Sequence, residues 1–110
     1  MNIAWNDFEK IIMRVGTITA AVQFAKAKKP AYQLTIDFGE HGIKHSSAQI
    51  TVLYLPEQLV GKQVIAVVNF PPKQIANFFS ECLVLGLYNE NNSVVLLQPE
   101  QEVKNGMRVG

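Results

Sequence analysis

Hydrophobic and polar residues alternate along the first half of the chain, as they do in strands that bury one face. The first predicted strand covers residues 13–24, and its inward positions change parity at Gly16-Thr17. One extra residue in a β-bulge would cause such a change and would bend the strand. The second predicted strand, residues 32–38, alternates without interruption, and residues 43–50 form the third. The pattern therefore predicts a bent strand followed by a hairpin.

The hairpin between the second and third strands is predicted to turn at residues 39–42, a Gly-Glu-His-Gly segment. A four-residue turn would place Asp37 opposite Lys44 on the neighbouring strand, where opposite charges attract each other. The spacing therefore predicts an ion pair across this hairpin.

Continuous apolar runs, rather than alternating ones, mark the next two strands. Residues 64–68 and 81–87 are rich in Val, Ile and Leu and lie between Pro and Gly residues, which indicates strands with little solvent on either face. A last strand is predicted at residues 93–97. We expect the two apolar runs to be the centre of the fold and the loop between them to be its working surface.

Two short helices are predicted outside the strands. The first covers residues 7–11, with Asn6 as its N-cap and Glu9 completing a capping box. The second lies within residues 51–60 and is expected to break near Pro56, because proline removes a hydrogen bond from a helix interior.

The order of these elements predicts an all-β protein, a five-stranded Greek-key barrel of the oligonucleotide/oligosaccharide-binding (OB) fold. A helix lies between strands three and four, a short helix precedes the barrel and a C-terminal extension follows it. Ligands of OB-folds contact strands two and three and the loops that join strands one and two and strands four and five. With 110 residues and 48% hydrophobic content, the chain is expected to form one domain, residues 1–110.

The basic residues are unevenly distributed, although the net charge is only +1. Residues 10–36 hold five basic residues and no acidic ones, whereas residues 37–110 hold seven acidic and five basic residues. Three lysines lie in the predicted loop at residues 25–30, and Lys73 lies in the loop between the two apolar strands. A basic segment favours an anionic partner such as a phosphate backbone; the alternative is a solvated loop that keeps the protein soluble.

Several classes of protein and site are not expected. No apolar run approaches the roughly 18 residues of a membrane span, and residues 1–7 lack the features of a signal peptide, so we expect a cytoplasmic protein. Cys82 is the only cysteine, which excludes an intrachain disulfide and a four-cysteine zinc site. His41 and His45 have no third ligand at a suitable spacing, so we expect no metal. His45 and Ser47 lack a positioned acid, so we expect no catalysis, and no cofactor is expected.

Six motifs spread over nearly the whole chain are more specific than its periodicity. They are Arg14-Val15-Gly16, Asp37-Phe38-Gly39, Ser46-Ser47-Ala48-Gln49-Ile50-Thr51, Asn69-Phe70-Pro71-Pro72, Ser80-Glu81-Cys82-Leu83 and Asn105-Gly106. Together they resemble the tRNA-binding domain family, and most closely its CsaA-like subgroup of export-related chaperones. Many family members carry Arg-Gly followed by Ser-x-Gly-Met, where this chain has Ala76-Asn77 and then Ser80 to Leu83.

The resemblance implies a non-catalytic protein that binds tRNA or another structured RNA through the phosphate backbone, with little sequence specificity. Such binding is sensitive to salt, because lysines displace counterions from the phosphates. Tyr32, Phe70, Phe78 and Phe79 are candidates for stacking on splayed-out bases, with packing inside the protein as the alternative. The residues expected to bind RNA are Lys26, Lys28, Lys29, Lys73, Ser46, Ser80 and Leu83.

The alternative function is a chaperone that binds unfolded preproteins and has little or no role with RNA. Its apolar groove would consist of Phe70, Pro71, Ile75, Phe78 and Phe79. The family resemblance also implies a homodimer, which would form through the segments 1–12 and 98–110 outside the barrel. The residues expected at this interface are Trp5, Phe8, Val103, Met107 and Val109.

Overall fold

Nine strands and two short helices make up the regular structure of the computed structural model, which describes residues 1–110. The strands are β1 (Met13–Gln23), β2 (Tyr32–Asp37), β3 (Ile43–Ala48), β4 (Gln63–Val67), β5 (Lys73–Ile75), β6 (Phe78–Ser80), β7 (Leu83–Val84), β8 (Gly86–Tyr88) and β9 (Val94–Leu96). The helices are α1 (Trp5–Glu9) and α2 (Pro56–Leu59), and a 3₁₀ turn covers Gly39–His41. Each predicted strand except the one at residues 81–87 is present as a single strand with somewhat different bounds, and β5 and β6 form an additional hairpin.

Five strands form one antiparallel sheet in the order β3-β2-β1-β4-β7. The long strand β1 is its centre, because its first half pairs with β4 and the rest pairs with β2. The sheet curls until β3 contacts β6 and β7, which nearly closes a barrel. The predicted five-stranded OB-type barrel, with a helix between its third and fourth strands, is thereby confirmed.

The strand predicted at residues 81–87 is not a central strand. Only Leu83 and Val84 pair with β4, and they do so at the edge of the sheet. From Gly86 onward the chain leaves the sheet and pairs with β9, so Leu87 is 58% exposed and Tyr88 is 77% exposed. The apolar run therefore contains two short strands with different partners rather than one buried strand.

The bulge in β1 lies at Thr19, not at Gly16-Thr17 as predicted. The residues on either side of Thr19 pair with successive residues of β2, which leaves Thr19 without a partner. Gly16 instead permits close packing, because a Cβ there would lie 2.6 Å from Ile36 Cγ2. The parity therefore changes later than expected, and Val22 is 54% exposed.

The register of the β2–β3 hairpin differs by one residue from the prediction. Asp37 pairs with Ile43, and Lys44 lies opposite Ile36, so the predicted Asp37–Lys44 ion pair is wrong. The Asp37 carboxylate instead accepts a hydrogen bond from the Gly39 N–H at 2.8 Å, at the start of the 3₁₀ turn. The register follows from the geometry of this turn, which the hydrophobic pattern does not specify.

The barrel is filled by the inward face of β2 and by residues from its neighbours. The largest fully buried hydrophobic side chains are Phe38, Ile18, Leu34, Ile36, Leu59 and Val64. The uninterrupted alternation of the second strand therefore predicts its buried face correctly. The Cys82 thiol belongs to the same apolar cluster, as its position in an apolar run indicates.

Helix α1 begins two residues earlier than predicted. Its N-cap is Ala4, and the Asp7 carboxylate accepts a hydrogen bond from the Ala4 N–H at 2.9 Å. The prediction of Asn6 as the cap is therefore wrong, because Asp7 takes the position that had been assigned to Glu9.

Helix α2 begins at Pro56 rather than breaking there, since the missing N–H of proline costs no hydrogen bond in the first turn. Residues 51–53 form only a turn, so the helical part of the predicted 51–60 segment is four residues long. Leu59 joins the core cluster. Neither helix has the length and hydrophobicity required to cross a membrane.

The C-terminal segment runs back along the first half of β1 and is bonded to it. The Gly106 N–H donates to the Val15 carbonyl at 2.8 Å, and the Val15 N–H donates to the Met107 carbonyl at 3.0 Å. Gly106 has φ of +95°, and a Cβ there would lie 2.6 Å from the Phe38 carbonyl oxygen. The end of the chain is therefore packed onto the barrel, with glycine required at the point of closest approach.

Candidate nucleic-acid interface

Two segments that are distant in sequence meet on one side of the barrel. The basic loop (residues 25–30) follows β1, and the β5–β6 hairpin (residues 73–80) follows β4. The rings of Phe24 and Phe78 are in contact, with centroids 5.3 Å apart and planes at 63°. Phe24 immediately precedes the basic loop and Phe78 lies beside the hairpin turn, so this contact holds the two segments together.

The backbone of the basic loop is anchored at its base. The Phe24 N–H donates to the Ala31 carbonyl at 3.0 Å, and the Ala27 N–H donates to the Phe24 carbonyl at 3.2 Å. The four lysines of this side, Lys26, Lys28, Lys29 and Lys73, are all exposed. None of them forms an ion pair within the chain. Their ammonium groups are therefore available to an external anion.

The barrel is closed along a seam between β3 and residues 80–82. The Glu81 N–H donates to the His45 carbonyl at 2.7 Å, and the His45 N–H donates to Glu81 Oε1 at 2.9 Å. The Ser47 N–H donates to Ser80 Oγ at 3.0 Å. Side chains thus take the place of a regular strand ladder at this edge.

The seam changes the interpretation of two predicted RNA contacts. Ser46 is only 1% exposed, and its hydroxyl donates to the Cys82 carbonyl at 2.9 Å, so the expectation that Ser46 contacts RNA is wrong. Ser80 is half-buried and already accepts a seam hydrogen bond. Leu83, at 49% exposure, stays open to a ligand.

The electrostatics of the seam centre on Glu81. Burial by itself raises the pKa of the Glu81 carboxyl, but the backbone N–H and ring of His45 and the charge of Lys44 hold this pKa below its ordinary value of 4.5. Glu81 is therefore ionised at neutral pH. Burial raises the pKa of the Cys82 thiol to about 11, which keeps this thiol protonated and unreactive.

We expect Glu81→Gln to lower the melting temperature at neutral pH and to have little effect in acid. A carboxyl whose pKa is lower in the folded protein stabilises the fold above its unfolded pKa, and this contribution is lost as the pH falls through the folded pKa. Melting curves from about pH 7 to about pH 3 measure the difference. Glu90→Gln, at an exposed turn residue, is the control. A deficit of Glu81→Gln that is constant over the whole range would contradict this role.

A cleft of about 280 Å³ lies where the hairpin base meets the seam. We call it the Phe70 cleft; its lining residues are Phe70, Pro71, Lys73, Ser80, Glu81, Cys82 and Leu83. The cleft contains residues that the sequence predicted to bind RNA and residues that it predicted to bind peptide. Of the remaining peptide candidates, Ile75 and Phe78 are half-buried in the hairpin, and Phe79 is 55% exposed.

The residues predicted at a dimer interface are only partly brought together. Trp5, Phe8 and Val109 line one shallow depression, where the Trp5 and Phe8 rings are 5.5 Å apart. Trp5 is 71% exposed and Met107 is 53% exposed. Val103 lies elsewhere, with its N–H donating to the Gln63 side chain at 3.0 Å.

The links that shape this surface have no signal in the sequence. Periodicity identifies Phe24 only as an inward residue of the first strand. His45 and Glu81 are 36 residues apart, and neither has a neighbour in sequence that would identify the other as its partner. Only a contact map of related chains or a structure could reveal such pairs.

Known proteins resemble this chain over nearly its whole length. A family model described as "Putative tRNA binding domain" matches residues 13–108. The methionine–tRNA ligase of Methanococcoides burtonii is 36% identical over 104 residues, which cover 94% of this chain, and that of Parabacteroides distasonis is 38% identical over 110 residues, covering 98%. The chain spans only 15% and 16% of the lengths of these two ligases.

Solved structures with the same fold cover the chain from end to end. The chaperone CsaA of Bacillus anthracis has a TM-score of 0.94 and 52% identity, covering 100% of both chains. The CsaA chaperone protein of Picrophilus torridus has a TM-score of 0.93 and 51% identity, covering 99% of this chain and 100% of the other. The MetRS related protein of Pyrococcus horikoshii has a TM-score of 0.89 and 30% identity, covering 100% of this chain and 99% of the other.

Proposed function

Because the chain belongs to the tRNA-binding domain family, we propose that it binds tRNA or another structured RNA through the phosphate backbone, without catalysis and with little sequence specificity. The binding side is the one that carries the basic loop and the β5–β6 hairpin. Both the RNA partner and the alternative partner considered below favour a cytoplasmic protein.

The contact between Phe24 and Phe78 is the observation that supports this proposal most. It brings the three loop lysines next to the hairpin that carries Lys73, and all four ammonium groups are exposed and unpaired. Lysines on flexible stems attract phosphates as point charges, and contacts to phosphates carry no sequence information. A patch of this composition therefore suits an RNA backbone of any sequence.

The test is a titration of labelled tRNA at two salt concentrations. Four lysine–phosphate contacts imply that the affinity falls roughly a hundredfold between about 50 and about 200 mM salt. An affinity for tRNA that is unchanged by salt, or no binding at the lower concentration, would rule out the phosphate-backbone function.

We propose further that the protein is a homodimer. Trp5 is 71% exposed beside the half-buried Phe8, and large aromatic side chains are rarely left in water without a partner surface. Val109 lies in the same depression. A second copy covering this face would double the number of lysines available to one RNA. Light scattering should give twice the mass of the chain, and Trp5→Glu should give the mass of a single chain.

A second candidate function is binding of unfolded polypeptide, including preproteins on their way to export. Phe70 and Phe79 are each 55% exposed on the same segment, and two similar structures are described as the chaperone CsaA. Competition between an unfolded preprotein and tRNA separates the two functions. If the preprotein displaces tRNA and its own affinity does not depend on salt, the chaperone function is favoured. If the preprotein fails to displace tRNA, binding of RNA alone is favoured.

A further inference from the structure

The four aromatic residues that could stack on a base differ in whether their rings are packed inside the protein or exposed. Tyr32 is only 2% exposed, and its hydroxyl donates to the Tyr54 carbonyl at 2.7 Å. The Phe78 ring packs edge-on against Phe24 at 5.3 Å and against His45 at 6.3 Å. Tyr32 and Phe78 are therefore occupied with contacts inside the protein.

Phe70 and Phe79 are the two aromatic residues of this set that remain open, each at 55% exposure. They differ in their surroundings. Phe70 lines the Phe70 cleft together with Lys73 and Glu81, whereas Phe79 does not line it. Because the two residues are equally exposed and only Phe70 lines the cleft, Phe79 is a matched control for Phe70.

The cleft combines an apolar wall with two opposite charges. Phe70, Pro71 and Leu83 supply the apolar surface. Glu81 is ionised at neutral pH, since its pKa is held below 4.5, and it therefore repels a phosphate from its own neighbourhood. Lys73 attracts one. A ligand that suits this arrangement has a flat uncharged part with N–H groups and a phosphate attached to it.

We propose that the Phe70 cleft binds one unpaired nucleotide of the RNA, with its base stacked on the Phe70 ring and its phosphate at the Lys73 ammonium. Base N–H groups face the Glu81 carboxylate, which accepts hydrogen bonds that a backbone phosphate cannot donate. This inference rests on the proposed RNA-binding function and adds to it a preference for RNA with an unpaired residue. An apolar peptide side chain would use the same apolar wall but would leave Lys73 without a partner.

Three RNAs of the same duplex sequence test the proposal by fluorescence anisotropy. The first is fully paired, the second has a single-nucleotide bulge, and the third has the same bulge without its base. Because stacking one base on an aromatic ring changes affinity by about tenfold, the intact bulge should bind about tenfold more tightly than the other two. Equal affinity for the intact and the abasic bulge would overturn the proposal.

Variants of the chain assign the preference to the cleft. Phe70→Ala should remove the tenfold preference, Phe79→Ala should retain it, and Lys73→Glu should weaken the binding of all three RNAs. Thermal melts check the folding of both alanine variants, which we expect to be folded because Phe70 and Phe79 are exposed.

The outcomes separate this inference from the function on which it rests. If all three RNAs bind with salt-dependent affinity and Phe70→Ala keeps the preference of the unaltered protein, the cleft proposal fails and the phosphate-backbone function stands. If none of the RNAs binds, both fail. If an unfolded polypeptide binds the unaltered protein and loses affinity in Phe70→Ala while the RNAs do not, the cleft is a peptide site and the nucleotide proposal is overturned.

Discussion

Replacement of Lys26, Lys28 and Lys29 together by glutamate should abolish detectable tRNA binding and leave the fold intact. The three lysines are exposed and form no ion pair in the chain, so their loss costs little stability. Exchanging three lysines for three glutamates changes the net charge by six, from +1 to −5, and places the new negative charges where a phosphate backbone would approach. We expect a loss in affinity of at least about a hundredfold, because three attractive phosphate contacts are replaced by three repulsive ones.

A filter-binding or anisotropy titration at about 0.1 M salt measures this loss. The control is Lys62→Glu combined with Lys104→Glu, which alters charge at positions outside the basic loop and the β5–β6 hairpin. This control should retain most of the affinity, because long-range repulsion between exposed charges is screened over about 10 Å. Equal losses in both variants would attribute the effect to net charge, and unchanged binding in the loop variant would remove the basic loop from the interface.

Phe38→Ala should cost about 3–5 kcal/mol of unfolding free energy, the largest effect of any single substitution considered for this chain. The Phe38 side chain is completely buried, and its ring lies against Gly16, where a Cβ would be only 2.7 Å from it. A Cβ at Gly106 of the C-terminal segment would lie 2.6 Å from the Phe38 carbonyl oxygen. Removal of the ring leaves a cavity between β1 and β2 that the close-packed backbone cannot fill.

Urea denaturation at a fixed protein concentration measures the change, and Phe79→Ala is the matched control. Phe79 is 55% exposed, so its truncation should cost less than about 1 kcal/mol. A typical domain has only about 5–15 kcal/mol of stability, so Phe38→Ala should be strongly destabilised or unfolded. A cost no larger than that of Phe79→Ala would show that the ring position is not part of a packed core.

The strands of the barrel could be predicted from the hydrophobic pattern because the side-chain period of a strand is a local property. The alternation in β2 identified its buried face without error. The register of the β2–β3 hairpin could not be predicted, since the Asp37 carboxylate sets the turn through one hydrogen bond that moves the pairing by a residue. The bulge was predicted two residues or more from its true place because Gly16 is required for packing instead.

The candidate site was predicted in part. Loops are recognisable from Pro, Gly and charged residues, so the positions of Lys26, Lys28 and Lys29 on one loop followed from the sequence. Lys73 was predicted in a loop as well, but it begins strand β5. The burial of Ser46 could not be predicted from the sequence, because a hydroxyl on a strand faces water or the interior depending on what covers it. For the same reason, some residues of the Phe70 cleft were assigned to RNA binding and others to peptide binding. They line one cleft only when the seam closes and brings residues 80–83 next to residues 70–73.

From the residues alone, this chain could be assigned to an OB-type barrel of the tRNA-binding domain family. The hydrophobic period, the order of the strands and the short motifs are all properties of neighbouring residues in the sequence. Contacts between distant segments determined the shape of the candidate site. These contacts are the seam at His45 and Glu81 and the packing of Phe24 on Phe78. They also leave Phe70 exposed while Phe78 is packed inside the protein. The reason is physical. Burial and hydrogen bonding depend on which surfaces meet when the sheet curls, and the curl arises from all five strands together.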